Sequence, residues 1–219
     1  VLAALRHRDA TGRGQYIDIG LVDTTVAWLI NEGVNYLTSG VVPVQRGNAH
    51  ANIVPYQVFA VSDGHMILAV GNDGQFARFC NFAGCPELAE DERFKTNANR
   101  VRNRVALYEI LPEITRHMTQ KHWVEGLADL AVPAGPVNTL DQVFADPQVL
   151  ARDMKVSMPY RGSKDGKVDL IGNPIKFSET PVEYRFAPPR AGQDSDAILE
   201  ELLDIGPEER AQLRGKGVI

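Results

Sequence analysis

Gly71-Asn72-Asp73-Gly74-Gln75 is the first stretch of this sequence whose residue types could do chemistry. It stands between an apolar, strand-like run and a helical one. Glycines at such a junction let the backbone approach a ligand closely. The helix start behind them offers free N–H groups to an anion or a thioester oxygen. The pattern is neither G-x-G-x-x-G nor a Walker loop, and a tight strand–helix turn without a ligand explains it more simply. A second candidate is Arg46-Gly47-Asn48-Ala49-His50, where a basic and a titratable residue share a flexible stretch ahead of Pro55-Tyr56. Ligand contacts concentrate on loops, although a solvated linker has the same composition. A third is the basic group Lys95, Arg100, Arg102 and Arg104, which could meet phosphates or simply cover a helix surface.

The remaining reactive residues suggest less. His7, His65, His117 and His122 have no carboxylate or nucleophile at suggestive spacing and read as structural or surface groups. No Ser–His–Asp arrangement, metal-ligand cluster or paired carboxylate stands out. Cys80 and Cys85 match neither C-x-x-C nor a zinc pattern. Cys80 sits among Phe76, Phe79 and Phe82, so a buried thiol is favoured over a disulfide. That usage suits a reducing compartment, and a cytoplasmic location is expected.

These candidates must be positioned by the elements around them. Val1 to His7 suits the last turns of a helix, followed by a turn at Asp9 to Gly14 and a strand at Gln15 to Ile19. Leu21 to Leu37 carries apolar residues at helical spacing and predicts one long, mostly buried helix. Residues 39–55 are punctuated by Gly40, Pro43, Gly47 and Pro55 and read as a crossing. Tyr56 to Val61 and His65 to Val70, joined by Ser62-Asp63-Gly64, predict a hairpin. A helix is expected from Gln75 to Ala83 and another from Val105 to Met118, kinked or restarted at Pro112. Thr119 should cap a further helix. Pro133 to Val137 leads into a strand, and Leu140 to Ala145 and Pro147 to Ala151 form short helices. Strands at Lys155 to Tyr160 and Val168 to Ile171 precede a proline-rich arm over 180–193. Helices close the sequence, one capped by Ser195 or Asp196 and one opened by Pro207-Glu208-Glu209.

Composition sets outer limits. The sequence has 219 residues, 44% of them apolar and 23% charged, with a net charge of -5. These are ordinary values for a globular protein. No long basic run invites nucleic acid, and no apolar stretch approaches the ~18 residues of a membrane span. Val1 is not a start methionine and the opening residues already read as the end of a helix, so a preceding portion is expected. The layout is α/β and three-part: residues 1–45 as the tail of a sheet domain, 46–140 as a small α+β domain, and 141–219 as a linker and returning segment.

Several motifs gain meaning from their order. Thr11-Gly12-Arg13-Gly14-Gln15-Tyr16-Ile17-Asp18 resembles the TGxGQxxDxS strand of class III CoA-transferases, the CaiB/BaiF family. So do Arg46 to His50 with Val54-Pro55-Tyr56-Gln57, Asp63-Gly64, and Gly71-Asn72-Asp73-Gly74-Gln75-Phe76. Phe94-Lys95-Thr96-Asn97 to Arg100 with Asn103-Arg104, Val132 to Val137, Asp146-Pro147-Gln148 and Pro174 to Ser178 complete the series. The resemblance implies the C-terminal half of an interlocked homodimer, with a large Rossmann-like domain built from the missing N-terminal half and the C-terminal return. It implies CoA transfer from an acyl-CoA to a carboxylic acid through an aspartyl-CoA intermediate, with coenzyme A thioester as substrate and no permanent cofactor. The nucleophilic aspartate of the family lies upstream, so no catalytic residue is expected in this chain. Gly71, Asn72, Asp73, Gly74 and Gln75 take the place of the family's glycine loop, and Arg46, His50 and Arg104 are candidate CoA or substrate contacts. The related α-methylacyl-CoA racemases usually carry Glu–Pro where this sequence has Asp73-Gly74. Succinyl-CoA:dicarboxylate transferases of the glutarate type are nearest in appearance. Racemase activity and an inert fragment remain the alternatives.

Overall fold

Three helices open the computed structural model, which describes residues 1–219. They are α1 (Leu2–Thr11), α2 (Leu21–Ala27) and α3 (Ile30–Ser39). Glycines end two of them. Gly12 and Gly40 adopt φ of 70° and 72°, which an L side chain rarely takes, and donate back to the Arg8 and Tyr36 carbonyls. The single buried helix expected over Leu21 to Leu37 is two helices, and both are exposed. The break falls at Trp28 and Leu29, whose N–H groups bond three residues back, to Thr25 and Val26. Gln15 to Ile19 forms no strand, because no second strand lies alongside to complete a ladder.

The chain then folds around a hairpin. β1 (Tyr56–Val61) and β2 (Gly64–Ala69) pair antiparallel with Val61 opposite Gly64 and Tyr56 opposite Ala69. Ser62 and Asp63 therefore make the turn, one position earlier than an Asp-Gly turn would place it. The helix start at Gln120 fixes that position: Asp63 accepts the Gln120 N–H at 2.7 Å, and the Ser62 N–H donates to the Met118 carbonyl at 3.0 Å. Helices α4 (Asp73–Phe82), α5 (Glu87–Glu90), α6 (Asn97–Arg102), α7 (Arg104–Thr115) and α8 (Gln120–Asp129) follow. β3 (Ala134–Pro136) returns to β2, giving the order β1-β2-β3.

Three of these helices, α4, α6 and α8, have a side-chain cap at their start. Asn72, Thr96 and Thr119 accept from backbone N–H groups of the first turns of α4, α6 and α8. The core between sheet and helices holds Phe59, Met66, Leu68, Phe76, Phe79, Leu107, Leu111, Trp123 and Leu127. Trp123 donates its indole N–H to the Thr115 carbonyl at 2.9 Å, so its polar edge is satisfied inside the core. Pro112 lies within α7 and ends nothing.

Two compact units divide the chain, residues 1–137 and 138–219. In the second, α9 (Leu140–Ala145) and α10 (Pro147–Ala151) precede a hairpin of β4 (Lys155–Pro159) and β5 (Lys167–Ile171). Asp146 caps α10 by accepting from the Gln148 and Val149 N–H groups. The proline-rich arm over 180–193 carries no regular element. α11 (Ser195–Leu203) begins after Asp194, one residue before the expected caps, and α12 (Pro207–Gly215) begins with its proline and two acids. Arg210 on α12 ties the pair, donating to Glu200 at 3.0 Å and to the Ile205 carbonyl at 2.7 Å.

Gly126 marks the tightest helix contact in the first unit. A Cβ there would lie 2.2 Å from the Phe82 ring, itself stacked on His122 and edge-on to Trp123. Gly126→Ala should therefore lower stability by about 1–3 kcal/mol through overpacking, although alanine is favoured over glycine by about 1 kcal/mol in a helix. Urea melts read the sign. An unchanged or raised midpoint would mean that Phe82 moves aside freely.

Candidate functional site

The segment Gly71 to Gln75 is a short turn that passes directly into a helix. Asn72 is extended at φ -154° and its Oδ1 accepts the Gln75 N–H at 2.9 Å. Asp73 and Gly74 already belong to the first turn of α4. Gln75 reaches in both directions: its Oε1 accepts the Gly71 N–H at 2.7 Å, and its Nε2 donates to the Ala131 carbonyl at 3.1 Å. Arg78 donates to the neighbouring Leu130 carbonyl at 2.7 Å. The turn is thus anchored on the C-terminal end of α8. Neither Gly71 nor Gly74 has positive φ. A Cβ on Gly71 would crowd Gln75 Oε1 at 3.2 Å, whereas one on Gly74 would meet only ordinary contacts.

Asp73 faces a buried cation. Its Oδ1 accepts from Arg100 Nη2 and from the Asn97 N–H, each at 2.8 Å. Arg100 is fully buried, at 0% exposure. Its Nε donates to the Val54 carbonyl at 2.6 Å and its Nη1 to the Phe94 carbonyl at 2.8 Å. Its guanidinium carbon lies 4.4 Å from the Phe76 ring centroid. Burial pulls the Arg100 pKa below its ordinary value, and the hydrogen bond and charge of Asp73 pull it back up. The guanidinium surface expected on α6 is therefore a core clamp at this position. Phosphate contact by Arg100 is ruled out, since the side chain is fully buried. Arg102 and Lys95, by contrast, are exposed.

Asn97 extends the connection to the 46–55 crossing. Its Oδ1 accepts the Val54 N–H at 3.1 Å and its Nδ2 donates to the Asn52 carbonyl at 2.8 Å. Arg104 closes the same stretch by donating to the His50 carbonyl at 3.4 Å and to the Ala51 carbonyl. His50 Nδ1 accepts from the Asn52 and Ile53 N–H groups, both at 3.1 Å, which leaves the neutral ring's hydrogen on Nε2. The imidazole stacks on Tyr56 with ring centroids 5.3 Å apart. His50 and Arg104 are thus brought together, and Asn97 and Arg100 join them to Asp73. Arg46 is held elsewhere, donating to Glu32 at 3.2 Å and to the Val44 carbonyl.

Two cavities open on this stretch. One of about 470 Å³ is lined by Arg46, and one of about 320 Å³ by His50; Glu32, Asn35, Ala51 and Asn52 border both. None of residues 71–75 lines either. Asp73 is committed to Arg100 and Asn97, so its carboxylate is an anchor and a poor candidate for a nucleophile. The Asp73 and Gly74 N–H groups, at the start of α4, keep the geometry to meet a carbonyl oxygen or an anion. No three His, Cys, Asp or Glu side chains converge on a metal position.

The family model described as CoA-transferase family III matches residues 1–195. A succinate–glutarate CoA-transferase of Agrobacterium fabrum is 42% identical over 206 residues, which cover 94% of this chain and 51% of that protein. The human succinyl-CoA:glutarate CoA-transferase is 34% identical over all 219 residues, which cover 50% of its length. The crystal structure of a CaiB/BaiF family protein from Brucella suis matches with a TM-score of 0.74 and 44% identity, covering 92% of this chain and 51% of that one. The chain spans about half the length of the curated relatives it matches.

Arg100 supplies a ranked prediction. Arg100→Met removes the donor from the buried Val54 and Phe94 carbonyls and one of two donors from Asp73, and should cost about 2–6 kcal/mol. Asp73→Asn keeps an acceptor and loses only the charge at a carboxylate that is 53% exposed. It should cost about 1–2 kcal/mol. Chemical denaturation of both variants tests the order, and an equal or reversed ranking contradicts the clamp.

Proposed function

The chain belongs to CoA-transferase family III, and from that premise we propose that it forms the C-terminal half of an enzyme moving CoA from an acyl-CoA to a dicarboxylate. The observation that carries the reading is the 42% identity to a succinate–glutarate CoA-transferase over nearly the whole chain. In this reading residues 1–45 and 141–219 contribute to a large Rossmann-like domain. Residues 46–140 form the small domain that carries the glycine segment. The partner is a second copy, interlocked with the first, and the catalytic aspartate lies in the half of the enzyme outside these residues.

The reaction divides one difficult exchange into easier steps. An aspartate carboxylate attacks the thioester carbonyl and CoA thiolate leaves, giving a mixed anhydride. The thiolate attacks the aspartyl carbonyl of that anhydride and releases the donor acid. The acceptor carboxylate then attacks the aspartyl-CoA carbonyl and CoA thiolate leaves, giving a second anhydride; the thiolate attacks its acceptor-side carbonyl, forming the new acyl-CoA and releasing the aspartate. Every intermediate is open to hydrolysis, so water must be kept out.

Gly71, Asn72, Asp73, Gly74 and Gln75 suit that shielding role. Their backbone is pinned at both ends by Gln75, and Asp73 is fixed on Arg100. A rigid segment with two small residues can press closely on an acyl group without contributing a nucleophile. His50, with its hydrogen on Nε2, would act as a donor toward substrate, and Arg46 as a cation toward a carboxylate or phosphate. Arg104 would support them through its grip on the His50 and Ala51 carbonyls.

Two measurements test this. The full-length protein should exchange CoA between succinyl-CoA and glutarate, followed by chromatography of the CoA esters. A folded protein that exchanges with no dicarboxylate, or that instead incorporates deuterium at the α-carbon of a 2-methylacyl-CoA, would sink the transferase reading. Gly74→Ala should leave folding intact, because a Cβ there meets only ordinary contacts. It should raise hydrolysis relative to transfer several-fold. An unchanged ratio would remove the glycine segment from the shield.

A further inference from the structure

The end of α4 sets the two cysteines side by side. Gly84 has φ 74°, the left-handed conformation of a helix-terminating glycine. The Cys85 N–H donates to the Cys80 carbonyl at 2.9 Å and the Gly84 N–H to the Asn81 carbonyl at 3.3 Å. This pair of bonds is a Schellman end, in which the residue after the glycine folds back over the one five places earlier and their side chains meet. Cys80 and Cys85 occupy those two positions. Both are free, buried thiols. Residues joined in this way hold their Cα atoms within the roughly 4.4–6.8 Å that a disulfide spans.

The two sulfurs differ in access and in charge. Cys80 is 0% exposed and Cys85 is 5% exposed. Cys85 lines a cavity of about 480 Å³ together with Phe82, Glu87, His117, His122 and Trp123. A small reagent therefore meets Cys85 first, with Cys80 behind it. The neighbouring thiol holds the Cys85 pKa below its ordinary value, and with burial it pushes that of Cys80 up. Access therefore sets the order, with Cys85 at the cavity as the attacking sulfur and Cys80 behind it as the resolving one.

We propose that Cys80 and Cys85 form a dithiol site that reacts with hydroperoxides, Cys85 as the attacking sulfur and Cys80 as the resolving one. The Cys85 thiolate attacks a peroxide oxygen and the O–O bond breaks. The departing oxygen takes a proton and leaves as water or an alcohol, and Cys85 becomes a sulfenic acid. Cys80 sulfur then attacks Cys85 sulfur, the S–O bond breaks, and the hydroxyl leaves as water with the Cys80 proton. Two electrons pass from the thiol pair to the hydroperoxide, and a thiol reductant reverses the reaction by exchange. The site does not depend on CoA transfer.

The test uses the full-length protein with hydrogen peroxide, followed by peptide mass spectrometry. The expected result is loss of two hydrogen atoms from the peptide spanning Cys80 and Cys85, restored by dithiothreitol. In Cys80→Ala the reaction should stop at a Cys85 sulfenic acid that dimedone tags, and in Cys85→Ala neither product should form. Should Cys80→Ala fail to fold, the wild-type mass shift tests the disulfide and Cys80→Ser tests the order of attack. Two free thiols after peroxide, a sulfenic acid on Cys85 of the wild type with no disulfide, or dimedone on Cys80 in Cys85→Ala would each overturn the proposal.

Discussion

A single buried guanidinium organises the first unit. Arg100 has no exposure to water, so every donor it keeps inside must find an acceptor or cost several kcal/mol. Its partners come from three places: the Val54 carbonyl ahead of β1, the Phe94 carbonyl in the turn before α6, and the Asp73 carboxylate at the start of α4. Satisfying one cation thus fixes three chain segments against each other. The Phe76 ring beneath it adds an apolar floor that stays compatible with charge. The glycine segment and the 46–55 crossing acquire their relative positions from this clamp and from Asn97 beside it.

Apolar packing and polar anchoring divide the work in that unit. The sheet and helices α4, α7 and α8 bury Phe59, Phe76, Phe79, Leu107, Leu111 and Trp123, which provides the non-directional drive to fold. Direction comes from side-chain to backbone bonds, as with Asp63 on the α8 start, Thr115 Oγ1 on the Ala60 carbonyl and Gln75 on Gly71 and Ala131. Such bonds contribute little each on a net basis, but each would be costly to leave unmade in the interior. The candidate site sits where these anchors are densest, which suits a role that needs rigid geometry.

The second unit relies on different means. Met158 is its only buried apolar residue, at 7% exposure. Its helices are joined by Arg210, and its hairpin by backbone pairing and the Ser157–Asp169 and Lys155–Asp169 contacts. Apolar side chains such as Ile171, Phe177, Phe186 and Leu202 stay exposed there, as do Leu21 in α2, Trp28 at the break after it and Leu37 in α3. Surface of this kind is what the proposed assembly with further chain would cover.

Local chemistry made much of the fold legible from residues alone. The hairpin at 56–69, the cap at Thr119, the helix starts at Pro147 and Pro207 and the short pairing strand near 134 all follow from signals contained within a few residues. The ordered motifs from Thr11 to Ser178 likewise carried the family. Only the tertiary structure decided the rest. Arg100 looked like surface because its acceptors lie 6, 27 and 46 residues away, and no local spacing reports such partners. The expected strand at 15–19 and the buried helix at 21–37 are absent because strand pairing and burial are properties of what lies alongside, which a one-dimensional pattern does not contain. Sequence fixes which bonds a short segment prefers; long-range burial and hydrogen bonding decide which of those preferences the folded chain keeps.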